Sequence, residues 1–177
     1  MSARMRIPAW TPPPPVVAAP WATSPQDAVQ AHFDTVWRTA MQGLPFVNDA
    51  LQVRALRFER IDGDWLGGLV TPWCVQLMLL PGGGTLWADV SAGTRSAVAL
   101  PVGMLPFIAD SSDGTLQAFQ YFPLVNSVSG LPDMASAEAV VLDALCTALT
   151  EPEPPESPPK AAVDRGRREF MRLSRGR

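Results

Sequence analysis

The side chains that could perform acid–base or nucleophilic chemistry are few and dispersed. The chain of 177 residues has one histidine, His32, and two cysteines, Cys74 and Cys146. Both cysteines lie in apolar runs, where a thiol is expected to stay protonated and unreactive. Their separation matches neither a disulfide framework nor a CxxC redox or zinc motif. We therefore predict no catalytic residue, no metal site and no cofactor, and expect the protein not to be an enzyme.

Familiar ligand motifs are also missing from the sequence. The run Gly82–Gly84 is followed by Thr85 and not by the Gly-Lys-Ser/Thr of a phosphate loop, and no Gly-x-Ser-x-Gly elbow occurs. Several aspartates stand beside turn glycines, where turn geometry alone favours them: Asp62, Asp64, Asp110 and Asp113. One alternative stays open, a small-molecule-binding or hydrolytic α+β domain with a polar pocket around His32 or these aspartates.

Tryptophans are the more informative residues. Trp65, Trp73 and Trp87 fall in a β-rich region, and Thr71-Pro72 interrupts the strand pattern between the first two. Proline cannot donate to a sheet ladder, so this dipeptide predicts an edge, a bulge or a bend. Tryptophan is common in cores and is also enriched where partners bind, and an edge strand can receive an extended peptide. The core and the binding interpretation both remain.

Charge is distributed unevenly, although the net charge is only −3. From Lys160 to Arg177 there are seven bases and two acids, whereas seven bases and 15 acids precede them. An acidic body makes nucleic acid an unfavourable partner. The longest apolar stretch, Trp65–Pro81, is interrupted by glycine and proline, so we expect no membrane span. No secretory signal is recognisable, which predicts the cytoplasm. A third hypothesis is a peripheral membrane protein held by the arginine-rich tail.

Proline content and hydrophobic periodicity divide the chain into four parts. Residues 1–23 form a proline-rich leader expected to be disordered, 24–150 one globular domain, 151–160 an acidic proline-rich linker and 161–177 a flexible basic tail. Within the domain, Ser24-Pro25 predicts the start of an amphipathic helix that ends at Gly43, and Asp133 caps a second helix.

Between these helices the pattern predicts strands. The candidate strands are Leu51–Ile61 with a bulge near Leu56, Trp65–Thr71, Trp73–Leu80, Thr85–Val90, Thr94–Leu100, Met104–Ala109 and Thr115–Phe122. Strands flanked by helices, and not alternating with them, favour the α+β class with a mostly antiparallel sheet.

Specific segments of the chain resemble the HybE/HupJ/HoxT family. They are Ser24-Pro25 before a helix, the W-x-G-x-x-x-T-P-W segment of Trp65, Gly67, Thr71, Pro72 and Trp73, then Leu86-Trp87, Leu100-Pro101-Val102-Gly103 and the arginine-rich tail. The family comprises accessory proteins of [NiFe]-hydrogenase assembly, and the resemblance spans Ser24 to Arg177. It implies a cytoplasmic, non-enzymatic chaperone.

The resemblance also implies a partner. Family members attend hydrogenase subunit precursors, chiefly the iron–sulfur small subunit, which bears an amino-terminal twin-arginine signal; they prevent premature export or damage during assembly. The large subunit and other maturation factors are further partner candidates. We assign partner binding to residues of the resembling segments: Trp65, Gly67, Thr71, Pro72, Trp73, Trp87, Leu100, Pro101 and Gly103.

The tail contains a motif of its own. Arg167, Arg168, Phe170 and Met171 follow the R-R-x-F-L core of a twin-arginine signal, although no hydrophobic region follows them. Three interpretations stay open: a basic tail contacting the acidic body, a placeholder in the groove meant for the client's signal, and a segment that binds the client directly.

Overall fold

The computed structural model describes residues 14–15, 17–112, 114 and 116–152. The strands are β1 Arg54–Ile61, β2 Asp64–Val70, β3 Val75–Leu80, β4 Arg95–Leu100, β5 Gly103–Ser111 and β6 Ala118–Pro123. Helix α1, Gln26–Val36, precedes them and helix α2, Met134–Ala148, follows them. All neighbouring strands are antiparallel, in the order β1-β2-β3-β6-β5-β4. The predicted α+β class with a helix on each side of the strands in sequence is confirmed.

Helix α1 forms where its apolar residues recur at helical spacing. Val29 and Phe33 are buried against the sheet, one turn apart. The helix begins at Gln26, directly after the predicted start at Ser24-Pro25, with Pro25 in the N-cap position. The Gln26 N–H lies 3.4 Å from the Ser24 hydroxyl, a long contact. Beyond Val36 the predicted α-helix changes to a π-helical turn, Trp37–Met41, before it ends.

The two helices cover opposite faces of the sheet, because side chains alternate along each strand. Helix α2 lies on one face and contributes Ala137, Val141, Leu145 and Ala148 to a core with Leu77 and Leu79 of β3. Helix α1 lies on the other face, where Val29 and Phe33 pack with Met78 and Leu80 of the same strand. Strand β3, buried throughout, therefore serves two cores.

Two glycines of β2 set how closely the layers approach. A methyl group added at Gly67 would overlap the ring of Phe58, and one at Gly68 would overlap Cγ1 of Val141 in α2. The first contact lies on the α1 face and the second on the α2 face. Gly67 therefore allows Phe58 to pack directly against β2.

The segment Thr85–Val90, predicted as a strand, is a loop. Its backbone is held by Asp64, a fully buried carboxylate at the start of β2. Oδ1 accepts the N–H groups of Gly82 and Gly84 at 2.7 and 3.0 Å, and Oδ2 those of Leu86 and Trp87 at 2.9 and 2.8 Å. The prediction was wrong because these amides bind a side chain in place of a neighbouring strand.

The two edges of the sheet differ in what covers them. The register of β1 shifts between Leu56 and Glu59, close to the predicted bulge, and α1 covers this edge. There Gln30 Oε1 accepts the Ala55 N–H at 2.8 Å, and its Nε2 donates to the Val53 carbonyl at 2.9 Å. Strand β4 is the opposite edge and has a single neighbour, β5, among the strands of the described ranges.

The part of the leader nearest α1 packs on the domain. The Trp21 N–H donates to the Pro81 carbonyl at 2.8 Å, and the Trp21 carbonyl accepts Nε1 of Trp65 at 2.9 Å. Residues 1–13 and 16, like the tail, lie outside the described residues. No helix in the part of the chain described here is long and apolar enough to cross a membrane.

Candidate functional site

An aromatic pocket opens on the α1 face where α1 ends. It encloses about 260 Å³. Its lining residues, which define the aromatic pocket below, come from α1, the β2–β3 turn, β3, β5 and β6: Phe33, Trp73, Cys74, Gln76, Asp110, Phe119 and Tyr121.

The β2–β3 turn positions Trp73. The Thr71 hydroxyl accepts the N–H groups of Trp73 and Cys74 at 3.3 and 2.8 Å, and the Thr71 N–H donates to the Cys74 carbonyl at 2.8 Å. The Pro72 carbonyl accepts the Asn48 N–H at 2.7 Å. Thr71-Pro72 therefore forms a tight bend, one of the three alternatives that the sequence offered.

The π-helical turn brings a second indole to the pocket. The Gln42 N–H donates to the Trp37 carbonyl at 3.2 Å, five residues back, which widens the last turn of the helix. The Trp37 ring stacks on Trp73 with centroids 6.0 Å apart and an interplanar angle of 16°. π-Helical turns are frequent at functional sites, and here the turn places the Trp37 ring against Trp73, a lining residue of the pocket.

The wall continues as a chain of ring contacts. Phe33 lies 6.4 Å from Trp73 and 5.8 Å from Phe119, and Phe119 lies 6.3 Å from Tyr121, measured between centroids. Such offset and edge-on pairs add to the free energy gained by burial. The rings are held by helix α1, the β2–β3 turn and strand β6, so the pocket is formed before any ligand arrives.

Polar groups interrupt this wall at defined points. Gln76 is 5% exposed, and its side chain lines the cavity. Asp110 is exposed at the mouth, where its Oδ1 accepts the Ser111 N–H at 2.8 Å. The remaining carboxylate lone pairs face solvent and the pocket.

The titratable neighbours of Asp110 favour their neutral forms. Burial raises the pKa of Tyr121, and the negative charges of Asp110 and Cys74 raise it further. Burial raises the pKa of the Cys74 thiol, against the hydrogen bond from Thr71. Burial lowers the pKa of His32, against the attraction of Asp110 for the imidazolium. Asp110 is the carboxylate among the residues that line the aromatic pocket.

An apolar surface adjoins the pocket along β5 and β4. The register places Ala97, Ala99, Met104, Pro106 and Ile108 on the α1 face, beyond the area that α1 covers. Met104 is 62% exposed, and only Ile108 of the five is partly buried. We call these five residues the uncovered face. It continues from Asp110 along the same side of β5.

The predicted tryptophans do not meet. Trp65 and Trp73 lie at opposite ends of the β2–β3 hairpin, since Trp65 pairs with Leu80 and Trp73 follows the other end of β2. Trp65 is held by the Trp21 carbonyl and by the Arg60 guanidinium, 5.0 Å from its ring. Trp87 packs against the α2-side core, and its Nε1 donates to Asp89 at 2.8 Å.

The other predicted segment is a hairpin turn. Leu100 pairs with Gly103 across β4 and β5, with Pro101 and Val102 as the turn residues. Leu100 is buried in the α2-side core, and the Val102 N–H donates to the Ala148 carbonyl of α2 at 3.2 Å. These residues attach the hairpin to α2 and lie away from the aromatic pocket.

Several pocket residues were missed from the sequence. Phe33 lies on the apolar face of the predicted helix, where the sequence pattern does not distinguish a core residue from a pocket residue. Asp110 was explained by its turn, and Phe119 and Tyr121 by their strand. A usable signal was the excess of aromatic residues on one face of β6, at positions two apart.

Catalytic chemistry would need the titratable groups to converge. His32 and Asp110 do approach one another at the pocket. Asp64 is saturated by four backbone N–H groups at the far end of the β2–β3 hairpin, and Asp113 lies outside the described residues. No group of three or more His, Cys, Asp or Glu that could hold a metal occurs in the described ranges. The tail motif, Arg167 to Met171, is not among them.

Comparison with known proteins defines the class. The family model described as "[NiFe]-hydrogenase assembly, chaperone, HybE" matches residues 24–173. The solution structure of HybE from Escherichia coli superposes with a TM-score of 0.60 at 26% identity, covering 80% of this chain and 87% of that one.

Named relatives agree with the family model. HoxT of Azotobacter vinelandii, a hydrogenase expression/formation protein, is 30% identical over 85% of this chain and 97% of its own length. Hydrogenase-2 operon protein HybE of Escherichia coli O157:H7 is 31% identical over 56% of this chain, and the match spans 61% of that relative. These proteins form a class of hydrogenase assembly factors. The chain belongs to the HybE family of [NiFe]-hydrogenase assembly chaperones.

Proposed function

We propose that this protein is a non-enzymatic, cytoplasmic chaperone that binds a [NiFe]-hydrogenase small-subunit precursor during assembly. The observation that carries the proposal is the family match over residues 24–173. A preformed aromatic pocket beside an exposed apolar surface supports it, because a chaperone needs a surface that accepts apolar segments of its client. The large subunit and other maturation factors are further candidate partners.

The client contact lies at the aromatic pocket in this proposal. Trp73 forms part of the wall, and Thr71 and Pro72 hold it there. Trp65, Trp87, Leu100, Pro101 and Gly103, all predicted to bind the partner, contribute through the fold. The twin-arginine signal of the precursor is the segment recognised, and occupation of the signal delays export.

Co-purification tests the function directly. The tagged full-length chain is expressed with the small-subunit precursor, and in parallel with the same precursor lacking its amino-terminal signal. We expect the full precursor to be retained and the truncated one to be lost or strongly reduced. A chain that retains neither form contradicts the chaperone role, and equal retention of both contradicts the recognition of the signal.

The tail adds a second element to the proposal. Its Arg167-Arg168-x-Phe170-Met171 motif is similar to the signal that the client would present. We propose that the motif acts as a placeholder for the client's signal and leaves when the client binds.

A further inference from the structure

The residues that line the aromatic pocket include an acidic side chain and no basic one. Asp110 is its lining carboxylate, and none of the seven lining residues is basic. Arg95 lies on the same face, opposite Ile108, but forms no ion pair with Asp110 among the described residues. The carboxylate is thus free to pair with a cation supplied by a ligand.

The aromatic wall favours the same kind of ligand group. Trp73, Phe119 and Tyr121 line one cavity, and aromatic rings attract ammonium and guanidinium groups. Gln76 adds a side-chain amide that lines the same cavity. A peptide backbone offers both a donor and an acceptor to such an amide.

The spacing along β5 specifies the rest of the ligand. Asp110, Ile108, Pro106 and Met104 project from one face of the strand in succession, because alternate residues share a face. An extended segment lying along β5 has the same period of two residues. A basic side chain at Asp110 therefore places the residues two and four positions away over Ile108 and Pro106.

We propose that the aromatic pocket and the uncovered face bind an extended client segment of the pattern basic-x-apolar-x-apolar, with Asp110 as the counter-ion of its basic side chain. The inference rests on the proposed function and names the surface and the side-chain pattern that it uses. Complementary charge and the continuity of the pocket with the uncovered face define this occupant.

Synthetic peptides test the pattern without the client. The probe is fluorescein-labelled Gly-Ser-Arg-Ser-Phe-Ser-Leu-Ser-Gly, titrated with the full-length chain and read by fluorescence anisotropy. One control peptide has glutamate in place of arginine, and another has arginine directly beside phenylalanine. We expect both control peptides to bind the unmodified protein at least about fivefold more weakly, because one reverses the charge and the other breaks the spacing.

Protein variants locate the contact. Asp110→Asn should weaken binding of the arginine probe about threefold to tenfold, as expected for a partly exposed charged pair. Asp110→Lys should bind the glutamate peptide in preference to the arginine probe, a reversal that a general loss of structure does not produce. Asp143→Lys, an exposed aspartate of α2 on the other face, is the matched control and should leave the preference unchanged.

The outcomes separate this inference from the proposed function. Equal binding of the arginine and glutamate peptides, or the same response of Asp110→Lys and Asp143→Lys, overturns the pocket assignment. Retention of the full precursor by Asp110→Lys at the unmodified level also overturns it while leaving the chaperone role intact. Self-association that disappears in Asp110→Lys would assign the surface to a second copy and overturn the proposal.

Discussion

At the scale of single residues, Asp64 determines more of the structure than its position beside a turn indicates. A carboxylate that is fully buried is tolerated only when its oxygens are satisfied, and here four backbone N–H groups satisfy both. The loop after β3 consequently folds back over the β1–β2 turn, where the Thr85 N–H donates to the Asp62 carbonyl at 3.2 Å. One side chain thus fixes a loop that has no regular secondary structure.

Asp64→Asn should destabilise the domain by about 3 kcal/mol, because an amide nitrogen replaces an acceptor and leaves two N–H groups opposite a donor. The free energy of unfolding, measured by urea denaturation, checks this value. The matched control is Asp62→Asn, an exposed position with φ of 47°, where asparagine is well tolerated. A loss below about 1 kcal/mol for Asp64→Asn would contradict the structural role.

At the scale of elements, the sequence predicted what depends on local pattern. The spacing of apolar residues predicted α1, and the predicted Asp133 cap of α2 is present. The Asp133 carboxylate accepts the Ser136 N–H at 2.8 Å, and this hydrogen bond lowers the pKa of Asp133. The prediction of a strand at Thr85–Val90 was wrong because the N–H groups of this segment bind Asp64, a residue more than 20 positions earlier in the chain. Strand order has no local signal, so the convergence of Asp110 with Trp73 was not predictable.

The contact between β2 and α2 depends on Gly68. Gly68→Ala should destabilise the domain by about 1 to 3 kcal/mol, because the new methyl group overlaps Val141. Val141→Ala alone should cost about 2 kcal/mol through the cavity that it leaves. In the double variant the methyl group enters that cavity.

The double variant should therefore be more stable than the sum of the two single losses indicates, by at least about 1 kcal/mol. Denaturation of all four proteins under one condition measures this coupling. Strict additivity would show that Gly68 does not set the distance between the layers.

At the scale of the whole molecule, the uneven charge distribution of the sequence relates the basic tail to the carboxylate at the aromatic pocket. The tail, from Lys160, carries seven bases against two acids, and Asp110 offers a carboxylate at the aromatic pocket. The described chain reaches Pro152, four residues after the Ala148 carbonyl that accepts the Val102 N–H of the β4–β5 turn. The tail is thus joined to the domain beside the hairpin that carries the uncovered face.

Removing residues 161–177 should tighten the binding of a small-subunit signal peptide if the tail is a placeholder, and the gain should shrink as salt screens the charges. Calorimetric titration at low and high ionic strength measures both effects. The control is a chain of full length with Arg167→Gln and Arg168→Gln, which should reproduce most of the gain. Unchanged binding would remove the placeholder role, and weaker binding would indicate that the tail binds the client directly.

The aromatic pocket opens where α1 ends and the uncovered face lies beyond the area that α1 covers, and this arrangement affects the kinetics of client binding. The walls of the pocket belong to α1, the β2–β3 turn, β3, β5 and β6 and form no lid. In a chain without residues 161–177, encounter with the client should therefore follow ordinary second-order kinetics, whereas in the full chain the departure of the placeholder precedes binding. Residence time is then set by the dissociation rate alone. Hand-over to the next assembly factor becomes a competition for the same extended segment, decided by relative affinity and concentration.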